Sequence, residues 1–377
     1  MKVIFTCGGT AGHVNPALAM AGLLRERKPD SEVLFIGARR GLERRLIEEA
    51  GWPFRSVEIS SFHRSMRPRE IRHNIVSLQN LIRSPKEAGA LLDEFPADLV
   101  MGTGGYASYP MILAASRRGI PTAIHESNAI PGLTTRLLEP HADLIMVGFE
   151  ECRKNYKHPE KVLVTGTPVR GDFFALTRAQ AKAKLGIDDG RPLVVSFWGS
   201  LGAAAMNRQM VEFIALERME RPFHHIHGAG AVGFPQMEKD LAAAGLDLSA
   251  APDIDVREYI SDMAVVMRAA DLVICRAGAS TISELTALGV PAIIVPSPNV
   301  ANNHQEHNAR VLSDAGGAVL LPEKDCGGQK LYETARSILS DPDRRRAMAG
   351  AMAKLGTIDA AERIYAAAMA LRSAGRK

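Results

Sequence analysis

Residues 1–20, MKVIFTCGGTAGHVNPALAM, decide how the rest of the chain is read. A short apolar run at 3–5 passes straight into Gly8-Gly9-Thr10-Ala11-Gly12-His13, and the loop opens a segment of helical apolar spacing at 17–26 with Pro16 in its first turn. Strand, glycine turn and helix in that order form the building unit of a parallel α/β sheet. Glycines there let the backbone approach a ligand closely and leave amide N–H groups facing an anion at the helix N-terminus. The loop lacks the G-x-G-x-x-G spacing, and the acidic residue about 20 positions on, of a dinucleotide site. It therefore reads either as a phosphate cradle or as a plain tight turn.

Outward from this stretch, strand-sized apolar runs recur at 33–36, 99–101, 122–124 and 144–147, separated by longer amphipathic segments such as 42–50. A second series follows the run at 162–165, with strands expected at 193–197, 224–226, 272–274, 292–295 and 318–321. Alternation of this kind predicts parallel sheets covered by helices, in two Rossmann-like domains. Residues 166–191, with Pro168, Gly171, Gly186 and Gly190, suit an inter-domain connection. The expected domains are 1–165 and 166–356, with an alanine-rich helix near 357–377 that could pack on either and is assigned back to the first. In open α/β sheets ligands bind beyond the carboxyl ends of the strands, which makes a cleft between two facing domains the default site.

Composition excludes several classes. A chain of 377 residues with 46% hydrophobic content can bury a large core, and 46 basic against 42 acidic residues give a net charge of only +4. That balance gives no nucleic-acid footprint. Cys7, Cys152, Cys275 and Cys326 are too scattered for a zinc site or a disulfide framework, as expected of a chain kept in a reducing cytoplasm. No export leader is visible, and no apolar stretch reaches the length of about 18 residues needed to cross a bilayer. Any membrane contact is expected to be peripheral.

Further loops carry candidate chemistry. Gly102-Thr103-Gly104-Gly105-Tyr106 follows a strand and precedes a helix rich in small residues, so two glycine loops at one sheet edge could hold a pyrophosphate. His125-Glu126-Ser127-Asn128 follows a third strand, with Asn128 able to bond sugar hydroxyls or amides. In the second half, Gly199-Ser200-Leu201-Gly202 and Arg276-Ala277-Gly278-Ala279-Ser280-Thr281 follow strands. Amides at Ala279, Ser280 and Thr281 could hold a diphosphate, and Glu284 could accept two hydrogen bonds from a ribose diol or simply cap the helix. The string 302–308, NNHQEHN, is dense in neutral hydrogen-bonding groups suited to a sugar or to a polar helix start. Asp253-Ile254-Asp255 lacks a nearby third ligand and reads as a solvated turn rather than a metal site, and His224, His225 and His227 read as structural.

Taken in order, the blocks GGTAGHVNPALA, GTGGYASYP, HESNAIPGLT, TGTPVR, GSLGA, YISDM, CRAGASTISE and HQEHNA resemble those of the MurG family of N-acetylglucosaminyl transferases, from Gly8 to about Asn308. The resemblance implies a GT-B fold of two facing Rossmann-like domains. It also implies inverting transfer of N-acetylglucosamine from UDP-GlcNAc to the 4-hydroxyl of the muramyl unit of lipid I, giving lipid II, with no cofactor or metal. On it, His13 is the candidate catalytic base. Thr10, Ala11, Gly12, Gly104, Gly105 and Tyr106 line the glycine loops, and Asn128 lies near the donor sugar. Arg170 and Ser200 lie near the donor phosphates, and the Ile260 backbone reads uracil. Ala279, Ser280, Thr281, Ile282, Ser283 and Glu284 form the diphosphate and ribose loop, and Gln305 meets sugar hydroxyls. Ala11, Ser127, Thr167, Leu201 and His304 depart from the family pattern.

A lipid-borne acceptor requires contact with a membrane. Residues 67–86, RPREIRHNIVSLQNLIRSPK, place Ile71, Ile75, Leu78 and Ile82 at helical spacing among Arg67, Arg69, Arg72, Arg83 and Lys86. Such a helix can lie on the anionic cytoplasmic face of the cell membrane or pack on a core with a solvated basic side. Competing functions are another GT-B lipid glycosyltransferase, a UDP-sugar 2-epimerase, and a non-catalytic nucleotide-sugar-binding subunit.

Overall fold

A computed structural model describes residues 1–39, 41–61, 67–199, 202–300 and 303–375. By internal contacts the chain divides into a unit of Met1–Val169 with Thr357–Lys377 and a second unit of Arg170–Gly356.

The first unit is a seven-stranded parallel sheet built from β1 (Lys2–Thr6), β2 (Glu32–Ala38), β3 (Phe54–Val57), β4 (Leu99–Gly102), β5 (Thr122–Glu126), β6 (Leu144–Val147) and β7 (Val162–Val164). The strand order is β3-β2-β1-β4-β5-β6-β7. Its helices are α1 (Ala11–Arg27), α2 (Leu42–Glu49), α3 (Pro68–Glu94), α4 (Ser108–Arg117) and α5 (Leu133–Leu138). Alternate residues of β1 share a face, so Val3 and Phe5 register with Val33 and Phe35 on one side and with Leu99 and Met101 on the other. This face packs on Val14, Ala17, Met20 and Leu24 of α1 and is closed by Ile364 and Ala368 of the C-terminal helix Ala360–Ala374. An ion pair between Arg27 and Glu362 adds to that seam.

The second unit has six parallel strands, β8 (Leu193–Phe197), β9 (His224–Gly228), β10 (Ile254–Arg257), β11 (Leu272–Cys275), β12 (Ala292–Ile294) and β13 (Ala318–Leu320), in the order β10-β9-β8-β11-β12-β13. Around them lie α6 (Arg178–Lys184), α7 (Ala204–Glu220), α8 (Phe234–Ala243), α9 (Met263–Ala269), α10 (Ala279–Leu288), α11 (His304–Asp314), α12 (Gly328–Leu339) and α13 (Pro342–Leu355). Counted from its own first strand this is the 3-2-1-4-5-6 order of a doubly wound nucleotide-binding sheet. The first unit repeats the order with one strand added.

Asp253-Ile254-Asp255 is not a solvated turn, as the sequence suggested. Ile254–Arg257 is the edge strand β10, paired with β9, and Asp253 just before it is buried. Burial alone would raise the Asp253 pKa, but hydrogen bonds from Arg221 Nε (2.9 Å) and Nη2 (2.8 Å) and from Arg191 Nη1 (2.8 Å) bring it down to about 2. With two guanidinium groups on it, this carboxylate is committed to holding the strand edge. Edge strand β3 also escaped the apolar pattern, because only Val57 of its four residues is buried.

His225 and His227 share a face of β9 and meet one hydroxyl, Ser196 Oγ, at 2.7 and 2.6 Å. His225 Nδ1 lies 2.7 Å from Glu217 Oε2, and both side chains are fully buried. Burial raises the Glu217 pKa and lowers that of His227 to about 3, so His227 is neutral and belongs to the core.

Candidate active site

In each sheet the order of strands reverses once, between β1 and β4 in the first unit and between β8 and β11 in the second. The crevice at such a switch point is where doubly wound sheets take ligands. In the first unit both glycine loops flank it, one after β1 and one after β4.

The two loops are locked together. Thr103 donates its hydroxyl to the His13 carbonyl at 2.7 Å and its N–H to the Thr6 carbonyl at 3.0 Å. Ser108 donates to the carbonyls of Thr6 (2.9 Å) and Gly104 (2.8 Å). Approach is so close that a Cβ on Gly105 would sit 1.9 Å from the Gly8 oxygen, and one on Gly104 would sit 2.7 Å from His13 Cδ2. Both glycines also have positive φ, +80° and +104°. Thr10 precedes α1 in extended conformation without capping it. The N–H groups of Ala11 and Gly12 make no hydrogen bond among the described residues, which leaves two donors aimed out of the helix start. Tyr106 is half-buried with its ring over Gly9, and burial, followed by the charge of Glu43, raises its pKa.

His13 sits inside this cradle. Its Nδ1 lies 2.8 Å from the Gly8 carbonyl oxygen and 3.3 Å from Thr10 Oγ1. A carbonyl only accepts, so the contact assigns the proton to Nδ1 and leaves the Nε2 lone pair available as a base. The next strand contributes the 125–128 block. His125 is fully buried and bonds the Gly166 carbonyl (3.0 Å), so it is a core group. Glu126 accepts from the backbone of Asn128 (3.1 Å) and Gly132 (3.1 Å), from Asn128 Nδ2 (3.0 Å) and from Thr135 Oγ1 (2.7 Å). That carboxylate fixes the side-chain amide of Asn128.

In the second unit Gly278 precedes α10 without a side-chain cap, and the N–H groups of Ala279, Ser280 and Thr281 find no acceptor among the described residues. The buried Ser280 hydroxyl oxygen also lacks a partner there. Three unspent amides at the start of a ten-residue helix are the kind of donors an anion can use. Ile282 and Ser283 face inward instead, with the Ser283 hydroxyl spent on the Ala279 carbonyl (2.9 Å). Among the described residues Glu284 has no ion-pair partner; burial pushes its pKa up to about 7, against the pull of Arg170 and with the push of Asp172. Arg170 is exposed, pairs with Asp172 (3.2 Å) and lies 5.5 Å from the Phe173 ring centroid. Ile260 is buried against Gly228, and its backbone N–H and C=O make no hydrogen bond among the described residues. Gln305 Oε1 accepts the Ser297 N–H at 2.9 Å. Arg276 is committed to structure, bonding the Val295 and Pro296 carbonyls and pairing with Glu323. Ser200, Leu201 and Asn302 lie outside the described residues. Among the described residues no group of three or more His, Cys, Asp or Glu could hold a metal ion.

Several supporting residues escaped the sequence reading. Glu43, Thr103, Ser108 and the hub role of Glu126 act through hydrogen bonds to backbone, which leave no periodic signal. Glu43 stands in a run rich in charge, LERRLIEE, that resembles a solvated helix face.

Two doubly wound parallel sheets, each with a glycine-containing loop at its switch point, fit the GT-B class of nucleotide-sugar enzymes. Residues 3–147 match the glycosyltransferase family 28 N-terminal domain and residues 193–364 its C-terminal domain. The chain belongs to glycosyltransferase family 28 and, within it, to the MurG family. It is 41% identical over 97% of its length to the UDP-N-acetylglucosamine–N-acetylmuramyl-(pentapeptide) pyrophosphoryl-undecaprenol N-acetylglucosamine transferase of Acetivibrio thermocellus, covering 96% of that protein. The crystal structure of Acinetobacter baumannii MurG superposes with a TM-score of 0.76 at 26% identity, covering 98% of this chain and 99% of that one. A UDP-GlcNAc 2-epimerase from Neisseria meningitidis, bound to UDP-GlcNAc, reaches a TM-score of 0.65 at 16% identity over 98% of this chain and 100% of its own, a likeness of fold alone.

Gly105→Ala tests the locked loops. The combination of positive φ and the clash with the Gly8 carbonyl should cost about 2 kcal/mol or more of stability. Gly51→Ala, at φ +77° with open space around it, should cost only about 1 kcal/mol. Urea unfolding followed by Trp52 fluorescence in a Trp198→Phe background compares the two.

Proposed function

We propose that this chain transfers N-acetylglucosamine from UDP-GlcNAc to the 4-hydroxyl of the N-acetylmuramyl unit of lipid I, undecaprenyl-pyrophosphoryl-MurNAc-pentapeptide, giving lipid II for peptidoglycan synthesis. The substrates are those in the name of the 41% identical relative. The observation that carries the reading is that the candidate loops stand at the carboxyl ends of the strands, at the switch points, with amides left open to diphosphates. Nothing comparable supports the epimerase, whose likeness is one of fold.

In this reading the first unit holds the acceptor. Amides of Ala11 and Gly12 meet its pyrophosphate, together with Thr10, Gly104, Gly105 and Tyr106, and His13 Nε2 takes the proton of the attacking hydroxyl. The oxygen then bonds the anomeric carbon with inversion as the bond to UDP breaks. The second unit holds the donor. Ala279, Ser280 and Thr281 receive the diphosphate, with Ser200 and Arg170 as further phosphate contacts, and charge on the leaving UDP is stabilised by groups already in place. Glu284 accepts the ribose diol, the Ile260 backbone pairs with uracil, and Asn128 and Gln305 contact the sugar. Ile282 and Ser283 support this loop from beneath.

Association is with the cytoplasmic face of the membrane, through the first half of α3. Ile71, Ile75, Val76, Leu78 and Ile82 are exposed, Ile82 by 73%, on a helix that also carries exposed Arg69, Arg72, Arg83 and Lys86. A face left uncovered in this way is not packing on a core, and its charge suits anionic headgroups. Among the described residues no helix is long and apolar enough to cross a membrane.

Three measurements test the reading. Radiolabelled UDP-GlcNAc with a short-chain lipid I analogue should give product with strong preference over UDP-glucose, and His13→Ala should lower kcat by about 100-fold or more with UDP affinity unchanged. Near-normal turnover in that variant would remove His13 as base. Because only the Glu284 carboxylate accepts both ribose hydroxyls, and its pKa is near 7, UDP affinity should rise about tenfold from pH 6 to pH 8 and become flat in Glu284→Gln. Binding to vesicles containing phosphatidylglycerol should fall at least about tenfold in an Ile75→Ser, Ile82→Ser double variant. Equal binding would assign membrane contact elsewhere.

A further inference from the structure

Beneath the first glycine loop lies Glu43, from the first turn of α2 and fully buried. Its Oε1 accepts the Ala38 N–H at 2.9 Å and its Oε2 accepts the Gly9 N–H at 3.2 Å. A buried carboxylate is tolerated only where donors replace water, and here the fold also clears space for it. A Cβ on Gly8 would sit 2.7 Å from Glu43 Oε1, one on Gly37 2.7 Å from its Cγ, and one on Gly41 2.1 Å from Oε2. Glycines from the loop after β1, from the end of β2 and from the β2–α2 connection therefore surround a single, fully buried side chain.

What Glu43 grips is decisive. The Gly9 N–H and the Gly8 C=O belong to one peptide group, planar and trans, so they point in opposite directions. The carboxylate holds the N–H end, while the C=O end receives His13 Nδ1 at 2.8 Å. Rotation of this peptide is thus resisted from below, and its rotation would remove the acceptor that selects the histidine tautomer. The influence of Glu43 extends into the site, where its charge adds to burial in raising the pKa of Tyr106.

We propose that Glu43 is a positioning residue for the transfer reaction: by clamping the Gly8–Gly9 peptide it holds His13 in the Nδ1–H tautomer, with Nε2 as proton acceptor. The inference rests on the base role given to His13 and deepens it.

The test combines Glu43→Gln with Gly37→Ala. The glutamine keeps one acceptor oxygen and turns an NH2 toward the other donor, whereas the alanine presses from β2 on Glu43 Cγ (2.7 Å) and on the Phe54 ring (3.0 Å) without touching the loop. Imidazole 15N NMR of His13 in the full-length protein, without substrate, should show one Nδ1–H tautomer in the native chain and a mixture in both variants. Turnover of the lipid I analogue should fall about 100-fold, as for a misplaced catalytic group, while UDP affinity changes less than about twofold. An unchanged tautomer in the variants, or turnover within about twofold of native, would overturn the proposal. If Glu43→Gln does not fold, Gly37→Ala decides by the same two readings. If the native chain does not transfer to lipid I, the functional reading fails, and the tautomer measurement still decides the role of Glu43.

Discussion

Parallel pairing is the constraint on which the rest of this structure depends. When every strand runs the same way, every carboxyl end falls on one edge of the sheet, and the next helix must begin there. Helix starts carry orphan N–H donors, so the edge becomes electropositive without any lysine or arginine. Reversal of strand order beside β1 and β8 opens a crevice at that edge. The glycines after β1 and β4 follow from the same geometry, since Gly8, Gly104 and Gly105 leave no room for a Cβ where the two loops meet.

A second theme is the use of buried carboxylates to hold backbone. Glu43 joins the ends of β1 and β2, Glu126 ties the turn after β5 to the start of α5, and Asp253 fixes the edge of β9 and β10 through two arginines. Asp271 likewise accepts the Leu193 N–H beside Arg178 and Lys182. A carboxyl group hydrogen-bonded from several directions has few alternative arrangements, so each fixes its loop more narrowly than apolar packing would. Cys7, close to Glu43, shows the reverse side: burial, then that neighbouring charge, lifts its thiol pKa to about 12, so it remains an inert core group.

The central strands and the glycine loops were legible because burial on both faces forces continuous apolar runs and because tight turns demand glycine. The edge strands β3 and β10 were not, since a strand covered on one side needs few apolar residues: β10 has charged residues at Asp255 and Arg257 and reads as a turn. Candidate ligand groups were readable as blocks, but not which members point outward. Ser280 keeps a buried hydroxyl with no partner among the described residues, the Ser283 hydroxyl is spent on the Ala279 carbonyl, and Ile282 turns into the core, a division set by helical rotation. Glu43 was hidden for another reason. Its partners are two backbone amides, and backbone has no letter in the sequence.

The place of the C-terminal helix bears on how the molecule is made. Ile364 and Ala368 complete the core formed by β1, β2 and α1, although residues 170–356 intervene in the chain. On the ribosome, which delivers sequence from the amino end, the earliest strands therefore emerge long before the side chains that cover them. The second unit has all its own residues in hand first. The first waits, with an apolar seam open to water, until Ala360–Ala374 has been released, and so a nascent chain that stops before that helix exposes the surface that chaperones and proteases recognise.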